Sequence, residues 1–279
     1  MNSYAEVLDS YLIPAEEGFM DKVKSAGKAA IDAIIRAIRW LKDKISSIIN
    51  KIKNLKVYDK REIDKIKKES LEAQFQKKRA DGWKNLYDNE HNDKIAAKEE
   101  QHAASATLSA MKISVRESGQ LSVYINRIDR QIIDFYRQLP DLIHYVNKSG
   151  KEVSNVPEIR HRYHSIDSNL LSDLKSAIDN FIEMITDLKD RKSNTCIAFS
   201  FDTIVVSRNC LNSIRKVLDE LEKIASALKN ISPSNDGEQW GFNLVSHTCT
   251  RYIEYFTSIN AQVSRIINLA DSNRVPVIK

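Results

Sequence analysis

The chain has 279 residues, 29% of them charged and 42% hydrophobic, with a formal net charge of +5. That length holds one large or two small domains and a core that needs no metal or disulfide staple. Only seven glycines and five prolines occur, far below the usual shares of roughly 7% and 5%, which argues against sandwiches, barrels and nucleotide-binding α/β folds, whose tight turns need glycine.

Charge is unevenly placed along the chain. Residues 1–17 carry Glu6, Asp9, Glu16 and Glu17 and no Lys or Arg, whereas 19–57 carry ten Lys and Arg against Asp21, Asp32 and Asp43, a net of +7. The leader closes on Pro14 and Gly18, both helix punctuation, and reads as a short separable arm. It lacks the basic start and apolar run of a secretory signal. No stretch reaches the roughly 18 apolar residues of a spanning helix.

Segment 19–57 carries Ile31, Ile38, Ile45 and Ile52 seven apart, with Ile34, Leu41, Ile48 and Leu55 three further on in each heptad. This a/d stripe predicts an amphipathic helix. Arg36, Arg39, Lys42, Lys44, Lys51 and Lys53 occupy its flanks and back. Segment 58–102 is highly charged and nearly balanced, which predicts an exposed helical connector. From about 103 to 147 apolar residues recur at three and four, including Leu121, Ile125, Ile128, Ile132, Phe135 and Leu139. Pro140 is expected to kink or end that helix.

Three further helical patterns follow at about 165–191, 198–230 and 239–270. They place Ile166, Leu170, Leu174, Ile178, Ile182 and Ile185, then Ile204, Leu211, Ile214, Leu218, Leu221 and Leu228, then Leu244, Tyr252, Tyr255, Ile259, Val263 and Ile266 on buried faces. The run CIAFSFDTIVV at 196–206 has the β-branched and aromatic content of a strand and is read as helix. The tail SNRVPVIK is expected to be loose. The expected fold is therefore all-α: an antiparallel helical bundle over 103–279, preceded by leader 1–18, basic amphipathic helix 19–57 and connector 58–102.

The chemistry-bearing patterns are few. Cys196, Cys210 and Cys249 form no C-x-x-C pair and leave one over in any disulfide scheme, so they read as reduced core residues. Glu99 with His102, and Glu158 with His161 and His164, have the E-x-x-H spacing of di-iron bundles, which also require inward glutamates such as Glu183 or Glu254. Surface-exposed chance spacing explains them more simply. No nucleophile elbow, Gly-rich phosphate loop or H-E-x-x-H is present, and no cofactor is implied.

The basic helix is the strongest signal for function. Ile31, Ile34, Ile38, Leu41, Ile45, Ile48 and Ile52, with Trp40, are the candidate protein or surface contacts, and Arg36, Arg39, Lys42, Lys44, Lys51 and Lys53 are the candidate anionic-surface contacts. An acidic protein assembly, nucleic acid bound without sequence preference, or anionic lipid headgroups would each suit such a helix. An ordinary bundle helix with a solvated charged face would look the same.

At residues 1–18 the chain resembles the capsid-targeting leaders of internal head (prohead core) proteins of large T-even-like tailed bacteriophages. Met1, Tyr4, Glu6 and the closing Ala15-Glu16-Glu17-Gly18 carry the likeness. The resemblance implies a non-enzymatic virion protein packed inside the procapsid with other head or scaffold proteins, and possible self-association. It also implies cleavage at Glu16, Glu17 or Gly18 by the phage's prohead protease, and residence in the virion interior or the host cytoplasm. Removal of residues 1–17 would delete four acids and leave the +7 segment at the new terminus. The alternative expectation is a membrane-surface protein acting through residues 19–57.

Overall fold

In the computed structural model, the described residues are 19–59, 61–62, 89–147, 168–191, 197–230, 236–271 and 277–278. Five helices hold nearly all of them: α1 (Phe19–Asn54), α2 (Asn89–Asn147), α3 (Ser168–Arg191), α4 (Phe201–Leu228) and α5 (Asp236–Asp271). The fold is an all-α helical bundle. Three two-residue strands, β1 (Val57–Tyr58), β2 (Phe199–Ser200) and β3 (Val277–Ile278), form a small parallel sheet in the order β1-β3-β2. The chain divides into two compact units. The first comprises Met1–Ser47, Asp129–Ser168 and Leu211–Asn260, and the second Ile48–Ile128, Asn169–Cys210 and Ala261–Lys279.

In the first unit α1 and α4 run antiparallel. Asp32 pairs with Lys229, Arg39 with Glu222, and Lys42 with Asp219 and Glu222, so partners descend along α4 as they ascend along α1. Helices α2 and α5 are likewise antiparallel, with Phe135 stacked on Tyr252 at 3.4 Å between ring centroids and Gln131 accepting a hydrogen bond from the Tyr255 hydroxyl. The core between these contacts is aliphatic: Ile31, Ile38, Leu41 and Ile45 from α1 and Leu211, Ile214, Leu218 and Leu221 from α4 are all fully buried. Burying one such side chain contributes about 1.5–3 kcal/mol, which outweighs the 0–1 kcal/mol of a surface ion pair. The aliphatic stripes therefore hold this unit together, and the charged pairs set its register.

The second unit carries the sheet. Val277 is buried and Cα-paired with Val57 on one side and Phe199 on the other, so β3 joins the segment leaving α1 to the one entering α4. The free edge of β2 is closed by α2. Ser114 Oγ accepts the Ala198 N–H at 3.0 Å, and Ser118 Oγ accepts the Ser200 N–H at 2.8 Å. Amides two apart in an extended strand face the same edge, and serines four apart on a helix share one face, so the two spacings match. Thr203 Oγ1 then donates to the Ser118 carbonyl at 2.7 Å. Beneath this edge Phe181 of α3 meets Phe199 edge to face at 4.9 Å.

Several sequence expectations change here. The run 196–206 is neither wholly helix nor wholly strand: Phe199 and Ser200 form β2 and the helix starts at Phe201. Buried serine hydroxyls and β3 take up the backbone groups that a helix would otherwise satisfy internally. The tail is not loose at Val277–Ile278, which form the central strand. Helix α2 also does not stop at Pro140 but continues to Asn147. Pro140 is exposed and Tyr136 is 40% exposed, so this side of the helix faces solvent, where a carbonyl that loses its amide partner to the ring is least costly. Cys210 and Cys249 are buried, and burial pushes the Cys249 thiol up to about 12; Cys196 lies outside the described residues.

Candidate anionic-contact surface on the first helix

Helix α1 has two sides of opposite chemistry. Its apolar stripe lies inside the chain's own core: Ile31, Ile38, Leu41 and Ile45 are 0% exposed, and Ile34, Ile48 and Ile52 are at most 8% exposed. In the folded chain these side chains offer no apolar face to a bilayer. Trp40 is half-buried, with the Lys44 ammonium 5.8 Å from its ring centroid, a distance at which the ring face attracts a cation.

Among the described side chains, the cations of α1 within the first unit fall into two groups. Arg39 and Lys42 lie on the flank facing α4 and are held there. Arg39 Nε donates to Glu222 at 2.6 Å, and Lys42 Nζ donates to Glu222 at 3.1 Å and pairs with Asp219 at 2.5 Å. The Asp219 hydrogen bond raises the Lys42 pKa, and the Arg39 hydrogen bond lowers that of Glu222. Asp32, lowered by its bond to Lys229, reverses the polarity at the other end of the same ladder. Arg36 and Lys44 are exposed on the remaining side of the helix.

In the second unit Lys51 is exposed and donates to Asn268 of α5 at 3.0 Å, while Lys53 is exposed. Lys56 sits 4.9 Å from the Tyr58 ring centroid. Just beyond, Asp59 and Glu62 exchange backbone-to-carboxylate hydrogen bonds at 2.8 and 2.9 Å, the reciprocal pattern of a helix start. A groove of about 440 Å³ also opens in this unit between α2 and α3, floored by Leu121 and Phe181 and rimmed by Glu117 and Asp173.

Glu16, Glu17 and Gly18 lie outside the described residues, as do Glu158, His161 and His164. Glu99 and His102 fall on α2 where only the backbone is described; Glu183 is exposed and Glu254 is partly buried. Among the described residues no three His, Cys, Asp or Glu side chains gather as a metal site would require, and no helix is long and apolar enough to cross a membrane. Sequence reading missed Asp219 and Glu222. Their three-residue spacing on a helix puts both on one face, but nothing local says which helix that face meets.

Residues 6–143, about half of the chain, match the family model of phiKZ-like phage internal head proteins. No curated protein and no solved structure matches significantly. The leader resemblance pointed to internal head proteins of T-even-like phages; the matching family is that of phiKZ-like phages, and it extends through α1 and most of α2. By that match the chain belongs with the internal head proteins of large phages.

Proposed function

We propose that the chain is a non-enzymatic structural component of the phage head interior that contacts packaged DNA through the exposed cations of α1. One observation carries this: the isoleucine stripe is spent on the chain's own core while Arg36, Lys44 and Lys53 stay at the surface. Contact is then made by charge rather than by apolar insertion. Phosphate neutralisation by Lys and Arg releases counterions and carries no sequence information, which suits a protein that must accept any packaged sequence. Other head or scaffold proteins are its partners during assembly. The acidic leader is removed at Glu16, Glu17 or Gly18 as the head matures, which takes three or four carboxylates away from the basic helix.

Filter binding of duplex DNA over a salt series tests this reading. Binding should weaken linearly in log salt, be indifferent to sequence, and lose about 0.9 in slope for each phosphate-contacting cation removed. The R36A/K44A/K53A variant should therefore bind more weakly with a shallower slope. Equal binding and equal slope in parent and variant would refute the role of α1.

A further inference from the structure

We infer that Asp219 and Glu222 of α4 act as an internal competitor for DNA, occupying Arg39 and Lys42 as phosphates otherwise would. The inference rests on the DNA reading above and concerns how that surface is regulated. Its basis is geometric. Within the first unit the two carboxylates sit three residues apart on α4 and engage two cations three residues apart on α1, making three ion-pair contacts of 2.5–3.1 Å. The Arg39 side chain is 66% exposed and Asp219 is 46% exposed, whereas Lys42 and Glu222 are 24% and 21% exposed. The cluster is thus open to solvent and reachable by a polyanion, not sealed in the core.

An exposed pair of this kind contributes little to stability, so the helices do not depend on it for their packing; the buried stripes of α1 and α4 provide that. What the pair does change is the number of cations available to a phosphate backbone. Arg36 and Lys44, on the exposed side of α1, are not drawn into it. The same helix therefore presents one set of cations permanently and holds a second set in reserve. A ligand with densely spaced phosphates can displace the carboxylates, whereas a single weak anion gains too little to do so. Low salt favours displacement, because counterion release is then worth most.

The test is the salt dependence of duplex DNA binding by the full chain and by D219N/E222Q. Freeing two cations should tighten binding and steepen the log–log salt slope by about 1.8. Adding R39A/K42A to that variant should abolish the gain, because the gain runs through those two side chains. A D173N/E183Q variant, with the same change in net charge on exposed positions of α3, controls for overall charge and should leave the slope unaltered. Circular dichroism melts of each variant verify that the bundle is intact. A D219N/E222Q slope equal to that of the parent, or equal to that of D173N/E183Q, overturns the competition while leaving the DNA reading in place. Absence of DNA binding in both parent and D219N/E222Q overturns both.

Discussion

Ser118 accepts the backbone N–H of Ser200 at 2.8 Å while its own hydroxyl donates to the Val115 carbonyl at 2.9 Å. One side chain thereby keeps a helix hydroxyl satisfied and closes the edge of a strand that has no neighbouring strand there among the described residues. A helix face takes the place of a fourth strand, and serine is small enough to let the two backbones approach.

Replacing Ser118 by Ala should leave the buried Ser200 amide without an acceptor. The expected cost is about 1–3 kcal/mol, read as a lower midpoint in urea with unchanged slope. An S118A midpoint equal to that of the parent would show that the amide finds another partner.

Gly119, beside it, should behave in the opposite way. A methyl group built there meets the Ser200 side chain at 3.9–4.0 Å, ordinary van der Waals contact. G119A therefore keeps the packing and gains helix propensity, about 0.5–1 kcal/mol of stabilisation. A fall in melting temperature would mean that α2 and β2 approach more closely than this spacing.

The two sides of α1 should separate cleanly under mutation. Leu41 is 0% exposed, so L41A should cost about 2–5 kcal/mol through lost burial and a residual cavity. R36A, on the exposed side, should stay within about 0.5 kcal/mol of the parent while weakening DNA binding. Chemical denaturation of both variants checks the pair, and comparable losses in the two would place Arg36 in the packing.

Acid should erase the contribution of Glu222. Its carboxyl lies below the ordinary 4.5 because Arg39 donates to it, so the pair stabilises the folded state above the unfolded value and is lost as pH falls through the folded one. Lys42, raised above 10.5 mainly by Asp219, behaves in the alkaline sense: its contribution is complete below 10.5 and is lost as pH rises through the folded value. The melting temperature of E222Q should therefore trail the parent at neutral pH and converge on it well below pH 4.5. A gap that persists undiminished to about pH 2 would assign the effect to packing rather than charge.

The helical architecture was legible because its cause is local. Ile31 to Ile52 at heptad spacing announce a buried stripe, and the same holds for Leu211 to Leu221 and for Tyr252 to Ile266. What stayed hidden depends on partners distant in sequence. Val277 becomes a central strand only because Val57 and Phe199 flank it, and no pattern within two residues encodes that. Pro140 reads as a kink or an end because its ring removes a hydrogen bond, and of the two the helix does not take the end, since an exposed helix can hand the orphaned carbonyl to water. The cations of α1 were visible as residues, but their division into held and open groups was not. That division is set by Asp219 and Glu222 some 180 positions away.

The most direct test of residence in the head interior is peptide mass spectrometry of intact phage particles treated with protease before lysis. Peptides spanning α1 to α5 should survive the treatment, with the first residue of the chain at Glu17 or Gly18. Loss of those peptides from protease-treated particles, or their absence from particles altogether, would contradict it.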